Sequence, residues 1–318
     1  MPADLGLSDV LEARKVIHAH IGATPAHSYP SLNDAFGAEI WVKHENHHPT
    51  NAFKVRGGIN LCARLSAREK KAGVVAASTG NHGQSLAWAA RLFGIPASIF
   101  VPEAANPDKV RAIKSLGARV THYGADYEAC REYAEGTAKR LGARFVSGGN
   151  EPHLIAGVGT YALELFEVVP DLDRIYVPIG GGSGACGCCL VANAVNPATE
   201  IIGVQAENAP AVYKSWKSGS IVKSKSALTF AEGLATLAPF EYTLSILRRR
   251  LNDFQLVSEH EMQEAIKLLF LYTHNIAEGA GAAAFAAAYR DRKKNAGKKV
   301  AIIQSGGNLT WDALGSMF

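Results

Sequence analysis

The sequence predicts an α/β protein of two doubly wound units with mostly parallel sheets, and three observations carry that expectation. From about residue 73 onward, strand-like and helix-like segments alternate. Glycine-rich turns stand between apolar runs and the helices that follow them. A chain of 318 residues with 47% hydrophobic side chains can fill one large core or two modest ones.

The elements follow in order. Ile40, Trp41 and Val42 form an apolar strand that runs into a polar turn, and Asn51 is placed to cap a helix beginning at Ala52. Val74, Val75, Ala76 and Ala77 read as a strand, followed by Ser78, Thr79, Gly80 and Asn81 and a helix through Leu92. A strand over 97–101 precedes a helix opened by Pro107 and closed by Gly117. A strand over 120–123 precedes a helix over 127–141 closed by Gly142. Strands over 174–179, 201–204, 254–257 and 300–304 then alternate with helices over 184–195, 209–217 and 259–274. Such alternation calls for parallel strands covered by helices on both faces. A smaller unit of 73–148 is expected to be inserted into a larger one of 1–72 and 149–318. The irregular stretch 218–242, mixing Ser, Lys, Gly and Pro, is expected on the surface or over a site.

Charge and composition narrow the function. Thirty-three basic and 29 acidic side chains are dispersed without a basic block, which gives no reason to expect nucleic acid or an anionic membrane as partner. No apolar run approaches the ~20 residues that span a bilayer. Residues Met1 to Leu5 lack the plan of a signal peptide. Five cysteines, three crowded at 186, 188 and 189, do not make a disulfide framework. A cytoplasmic protein is expected.

Four segments carry chemistry, each at a strand end, where sheets of this kind bind ligands. In the first, Phe53-Lys54-Val55-Arg56-Gly57-Gly58, Lys54 falls in the first turn of a helix. The helix's positive end and burial both disfavour an ammonium there, and a neutral amine is what Schiff-base chemistry requires. The second is Ser78, Thr79, Gly80, Asn81 and His82, whose hydroxyls and backbone N–H groups at a helix start suit a carboxylate. The third is Gly180, Gly181, Gly182, Ser183 and Gly184, glycines that let a phosphate approach the backbone at a helix N-terminus. The fourth, Ser305-Gly306-Gly307-Asn308, directly follows the last strand and offers a hydroxyl to a ligand.

In this order the four segments resemble the tryptophan-synthase-β-like group of pyridoxal-phosphate enzymes (fold type II), and within it the serine/threonine dehydratase and serine racemase branch, over about 15–310. The resemblance implies pyridoxal 5'-phosphate held between the two units, with Lys54 as its Schiff-base partner and Phe53 packed beside it. It also implies that Gly180, Gly181, Gly182, Ser183 and Gly184 hold the phosphate, that Asn81 bonds the ring hydroxyl, and that Ser305 meets the ring nitrogen. Ser78, Thr79, Gly80, Asn81 and His82 then take the carboxylate of a small amino-acid substrate. A homodimer is implied by the resemblance alone.

A hydroxyl at the ring nitrogen does not keep that nitrogen protonated as a carboxylate does, so expulsion of a β-substituent competes well. The expected reaction is β-elimination of water from a β-hydroxy L-amino acid, threonine or serine or a larger analogue such as an aryl-serine, to a 2-oxo acid and ammonia. Lys54 is the expected general base. The chain departs from the branch in places. Thr79 stands where a racemase carries a serine base, which lowers the expectation of racemisation. Glu207 and Ala211 match two ligands of the branch's divalent-metal site, but Tyr213 replaces the third, an Asp, so no metal is predicted. Ala52, Asn51 and Ser183 replace a serine and two glycines, and Glu232 stands where an Asp is common. The regulatory domain of longer threonine dehydratases is not expected.

Other readings are weaker. His44, His47 and His48 lack metal-site spacing and are expected to be solvated or to line the pocket. Cys186, Cys188 and Cys189 are expected to be small buried residues. Gly182, Gly184, Gly187 and Glu207 fit a dinucleotide fingerprint, yet a dehydrogenase gives no reason for the Lys54 and Ser305 segments. A cofactor-free amino-acid-binding module and a β-replacement enzyme are further alternatives.

Overall fold

The computed structural model describes residues 5–315 and 317. Met1 to Asp4, on which the signal-peptide expectation largely rests, lie outside them. The described residues form ten strands: β1 (Ala26–Ser28), β2 (Glu39–His44), β3 (Val74–Ala77), β4 (Ala97–Val101), β5 (Arg119–His122), β6 (Arg144–Phe145), β7 (Arg174–Pro178), β8 (Glu200–Ala206), β9 (Asp253–Val257) and β10 (Lys299–Gln304).

They form two sheets. One has the order β1-β2-β10-β7-β8-β9 and the other β5-β4-β3-β6. Every pairing is parallel except β1 with β2. The α/β class read from the sequence is therefore the class observed. All four strands of the smaller sheet come from 74–145. Runs of Val, Ile and Ala make the central strands β3, β8 and β10 buried on both faces, as parallel strands under two helical layers must be.

Two long helices give no periodic signal. Pro152–Val168 buries every residue over 154–166, and Gly279–Arg290 buries every residue over 279–288. A helix enclosed on all sides is apolar all round and shows no amphipathic stripe. Helix 152–168 crosses Lys54–Arg64 where Gly57 and Gly157 let the backbones touch. A Cβ on Gly57 would stand 2.9 Å from the Leu154 carbonyl oxygen, and one on Gly157 would stand 2.7 Å from that of Arg56.

That crossing encloses a group of charges. Arg56, fully buried, donates Nε–H to Glu45 Oε2 at 2.7 Å and Nη1–H to Glu164 Oε1 at 2.6 Å. Lys43 Nζ donates to Glu164 Oε2 at 2.7 Å and to the Thr24 carbonyl at 2.6 Å. Burial pushes both carboxyls up, but the Arg56 guanidinium outweighs it and both end below the usual carboxylate range. Two cations and two anions thus close on one another beneath the helix that carries Lys54.

The expected helix start at Ala52 is corrected. The helix begins at Lys54, with Phe53 as its N-cap, and Asn51 takes φ 51° instead of capping. The Phe53 N–H donates to the Ser305 carbonyl at 3.0 Å, and the Gly307 N–H donates to the Asn51 carbonyl at 2.9 Å. Residues 51–53 are thereby paired to the chain leaving β10, which delays the helix by two residues.

Candidate active site

Lys54 occupies the first helical position after this paired segment. Its Nζ donates to the Ser183 hydroxyl at 2.9 Å and lies 5.1 Å from the Phe53 ring centroid. Exclusion of water lowers its ammonium pKa to about 8. Phe53 meets Tyr161 edge to face at 6.1 Å, and the Tyr161 hydroxyl donates to the Gly184 carbonyl at 2.9 Å. The lysine turn and the glycine loop are therefore braced through one aromatic pair.

The loop after β7 runs through Gly180, Gly181 and Gly182 into helix Ser183–Val195. It lies under a close roof. A Cβ on Gly180 would stand 1.9 Å from the Gly233 carbonyl oxygen, and one on Gly181 would stand 3.0 Å from the Phe240 ring. Gly182 has φ +90°, in the left-handed region that disfavours side chains. The first-turn amides of a helix have no intrahelical acceptors, and here they come together with a buried Ser183 hydroxyl and the Lys54 amine. A phosphate fits that donor set.

In the second segment, Asn81 opens helix Asn81–Leu92. The Ser78 hydroxyl accepts from Gly80 N at 3.2 Å and from Gly83 N at 3.1 Å, so Ser78 shapes the turn while Thr79 and Gly80 lie partly buried at its apex. His82 donates Nε2–H to the Val146 carbonyl at 3.1 Å. Burial, aided by the nearby Lys54 charge, lowers the His82 pKa to about 4, which leaves its ring neutral at neutral pH. Ser305 is buried directly after β10, and its carbonyl receives the Phe53 N–H.

Glu278, Asn308 and Lys109 had no assigned role in the sequence reading of the site. Asn81 Nδ2 donates to Glu278 Oε1 at 2.7 Å, and Asn308 Nδ2 donates to Asn81 Oδ1 at 2.7 Å. Lys109 Nζ pairs with Glu232 Oε2 at 2.5 Å. These side chains, with Phe230 and Leu309, line a cavity of about 170 Å³ beside Asn81. The only signal for Glu278 was an acidic residue set in a Gly- and Ala-rich run.

Other expectations are corrected or located. Of the three histidines expected to be solvated or to line the pocket, His47 is exposed while His44 and His48 are buried: His44 Nε2 lies 2.8 Å from the Tyr29 hydroxyl, and His48 lies beside Glu45 at 3.3 Å. Glu207 is exposed after β8, and the Tyr213 N–H donates to Gln205 Oε1 at 3.0 Å. Cys186, Cys188 and Cys189 are buried, and burial pushes their thiols up, Cys188 to about 12. Among the described residues, no helix is long and apolar enough to cross a membrane.

Residues 17–306 match the family model for pyridoxal-phosphate dependent enzymes. The chain is 38% identical over 303 residues to an L-threonine ammonia-lyase of Thermotoga maritima, covering 95% of this chain and 75% of that protein. It is 36% identical over 301 residues to an L-threo-3-hydroxyaspartate ammonia-lyase of Saccharomyces cerevisiae, covering 95% and 92%. Among solved structures, that of maize serine racemase superposes with a TM-score of 0.93 at 31% identity, covering 98% of this chain and 96% of that one.

Proposed function

The chain belongs to the pyridoxal-phosphate dependent enzyme family, and from that premise we propose that it is an ammonia-lyase that eliminates water from a β-hydroxy L-amino acid. The single observation that carries this reading is the juncture of Lys54, the Ser183 loop and Ser305, tied by Lys54 Nζ to Ser183 at 2.9 Å and Phe53 N to Ser305 O at 3.0 Å. Around that juncture lie an amine whose pKa burial lowers to about 8, the Gly180–Gly184 loop and the buried Ser305.

Gly180, Gly181, Gly182, Ser183 and Gly184 would hold the cofactor phosphate, Asn81 its ring hydroxyl, Ser305 its ring nitrogen and Lys54 its aldehyde carbon. When bound, the cofactor supplies a sink for the electron pair left on Cα. Thr79, Gly80 and His82, with the Ser78 turn, take the substrate carboxylate. With the cofactor bound, Lys54 Nζ would act as a neutral amine that removes the Cα proton and returns a proton to the departing β-hydroxyl. The Cα–H and Cβ–O bonds break, water leaves, and the released enamine hydrolyses to a 2-oxo acid and ammonia. A neutral Ser305 leaves the ring nitrogen without an anionic partner, which favours loss of the β-group over prolonged carbanion life.

The smaller sheet over 73–148 acts as the closing unit and shields the site from water. Threonine and serine are the first substrates of this reading, with 3-hydroxyaspartate and aryl-serines as larger or charged members of the class. A homodimer in the cytoplasm completes the reading, and sedimentation velocity checks the dimer. The decisive experiment adds pyridoxal phosphate and records a visible band that borohydride removes. It then assays 2-oxo acid and ammonia across β-hydroxy amino acids of both Cβ configurations. A chain that shows no band, or forms no 2-oxo acid from any of them, overturns the reading.

A further inference from the structure

We infer that Glu278 is a positioning residue that fixes which way the Asn81 amide is turned toward the cofactor, an inference that rests on Asn81 being a cofactor ligand. A primary amide offers two N–H donors and one acceptor oxygen. Here the oxygen accepts from Asn308 Nδ2 at 2.7 Å, and one N–H is donated to Glu278 Oε1 at 2.7 Å. In its ionised form, which prevails above about pH 7, the carboxylate only accepts, so turning the amide over would set oxygen against oxygen at Glu278, and at any pH N–H against N–H at Asn308. What Asn81 retains for a ligand is its second N–H, beside one lone pair of an oxygen already engaged by Asn308. It therefore meets the ring hydroxyl as a donor and favours that oxygen in its deprotonated form.

The surroundings hold both partners of the amide. Asn308 Nδ2 also donates to the Thr50 carbonyl at 2.9 Å, which keeps its donor end turned to Asn81. The Glu278 N–H donates to the Gly306 carbonyl at 3.1 Å, and a Cβ on Gly306 would stand 2.5 Å from Glu278 Oε1. That gives the glycine after Ser305 a reason: it leaves room for the carboxylate. Asn81 follows β3 of the smaller sheet, whereas Glu278 caps helix Gly279–Arg290, which packs on β10 of the larger one, and Asn308 follows β10. The amide is set only while the two sheets sit in this relation. The charges acting on Glu278 from neighbouring elements are Lys109 and Glu232, themselves paired, and burial raises the carboxyl to about 7.

The test loads the parent, Glu278→Ala, Glu278→Gln and Asn308→Ala proteins with pyridoxal phosphate. It reads the wavelength and pH titration of the visible band, the cofactor Kd by fluorescence, and melting curves that check the fold. Glu278→Ala and Asn308→Ala are expected to displace the band and weaken Kd by roughly tenfold or more. Glu278→Gln, whose carbonyl still accepts from Asn81, is expected to restore the parent band. An unchanged band and Kd in Glu278→Ala overturns the inference, as does a Gln variant that behaves like Ala. A parent protein with no band sinks the ammonia-lyase reading itself, and the inference with it.

Discussion

The Phe53 amide donates to the Ser305 carbonyl at 3.0 Å, which locks the residue before Lys54 to the residue after the last strand. This bond joins the two ends of the chain's chemistry across β2 and β10, which run parallel in register from Glu39 and Lys299 to His44 and Gln304. The next residue in that turn, Gly306, is held between Ala52 and Glu278. A methyl group on its Cα would stand 3.3 Å from the Ala52 Cβ and 2.5 Å from Glu278 Oε1.

Gly306→Ala is therefore expected to displace the Glu278 carboxylate without unfolding the protein, since that carboxylate is the mobile end of a side chain. Loss of the Asn81 contact should weaken cofactor binding by roughly ten- to a hundredfold, the worth of a hydrogen bond to a charged group. In a Glu278→Ala background the same glycine change should cost far less. A double-mutant cycle on cofactor Kd measures that difference, and additive losses would refute the coupling.

Lys54 should betray its environment before any cofactor is added. Its ordinary pKa of 10.5 is lowered to about 8, so the neutral, nucleophilic form gains half its population near pH 8. In cofactor-free protein, acylation of Lys54 followed by mass spectrometry should reach half its plateau rate near that pH, well ahead of surface lysines. Lys54→Ala should abolish the visible band and lower turnover by more than about a thousandfold, as expected when a covalent and general-base group is lost.

Much of this was legible because the segments are local. The strand at Val74–Ala77 shows in its residue types, Gly142 closes its helix in the left-handed conformation, and the glycine loop lies within five consecutive residues. Asn51 misled because a cap preference is weak beside two backbone hydrogen bonds to the chain after β10, which no local pattern announces. Glu278 stayed hidden because its partner Asn81 is 197 positions away. The helix Pro152–Val168 stayed hidden because full burial erases the periodicity that reveals helices.

The buried charges under the lysine helix set a stability prediction with a definite sign. Arg56→Met leaves Glu45 and Glu164 in the interior without their main cation, a loss of roughly 3–5 kcal/mol. In the parent both carboxyls have lowered folded-state pKa values, so their contribution is present above the unfolded value and is lost as acid protonates them. In the variant Glu164 keeps Lys43 and Glu45 keeps His48, but without the guanidinium burial is less offset, so both carboxyls rise and that slope is weakened. Urea unfolding from pH 8 down to pH 4 should show the gap between parent and variant narrowing as the pH falls. A constant gap would mean the cluster contributes packing alone.

Thr79 offers a test of what separates elimination from racemisation at this site. It lies at the apex of the turn that Ser78 holds between β3 and helix Asn81–Leu92, the position at which the sequence resemblance implies a serine base, on the face opposite the lysine, in racemases of the branch. The extra methyl of threonine restricts χ1 and crowds that face. Thr79→Ser removes the methyl and keeps the hydroxyl, so protonation from the second face becomes accessible while Lys54 still drives elimination from the first. With L-serine the variant should form D-serine at least about tenfold faster than the parent while its 2-oxo-acid production stays within about tenfold, the range set by one acid–base group. Chiral chromatography beside a 2-oxo-acid assay reads both products from one reaction. If D-serine formation is unchanged in the variant, the threonine methyl is not what disfavours racemisation here.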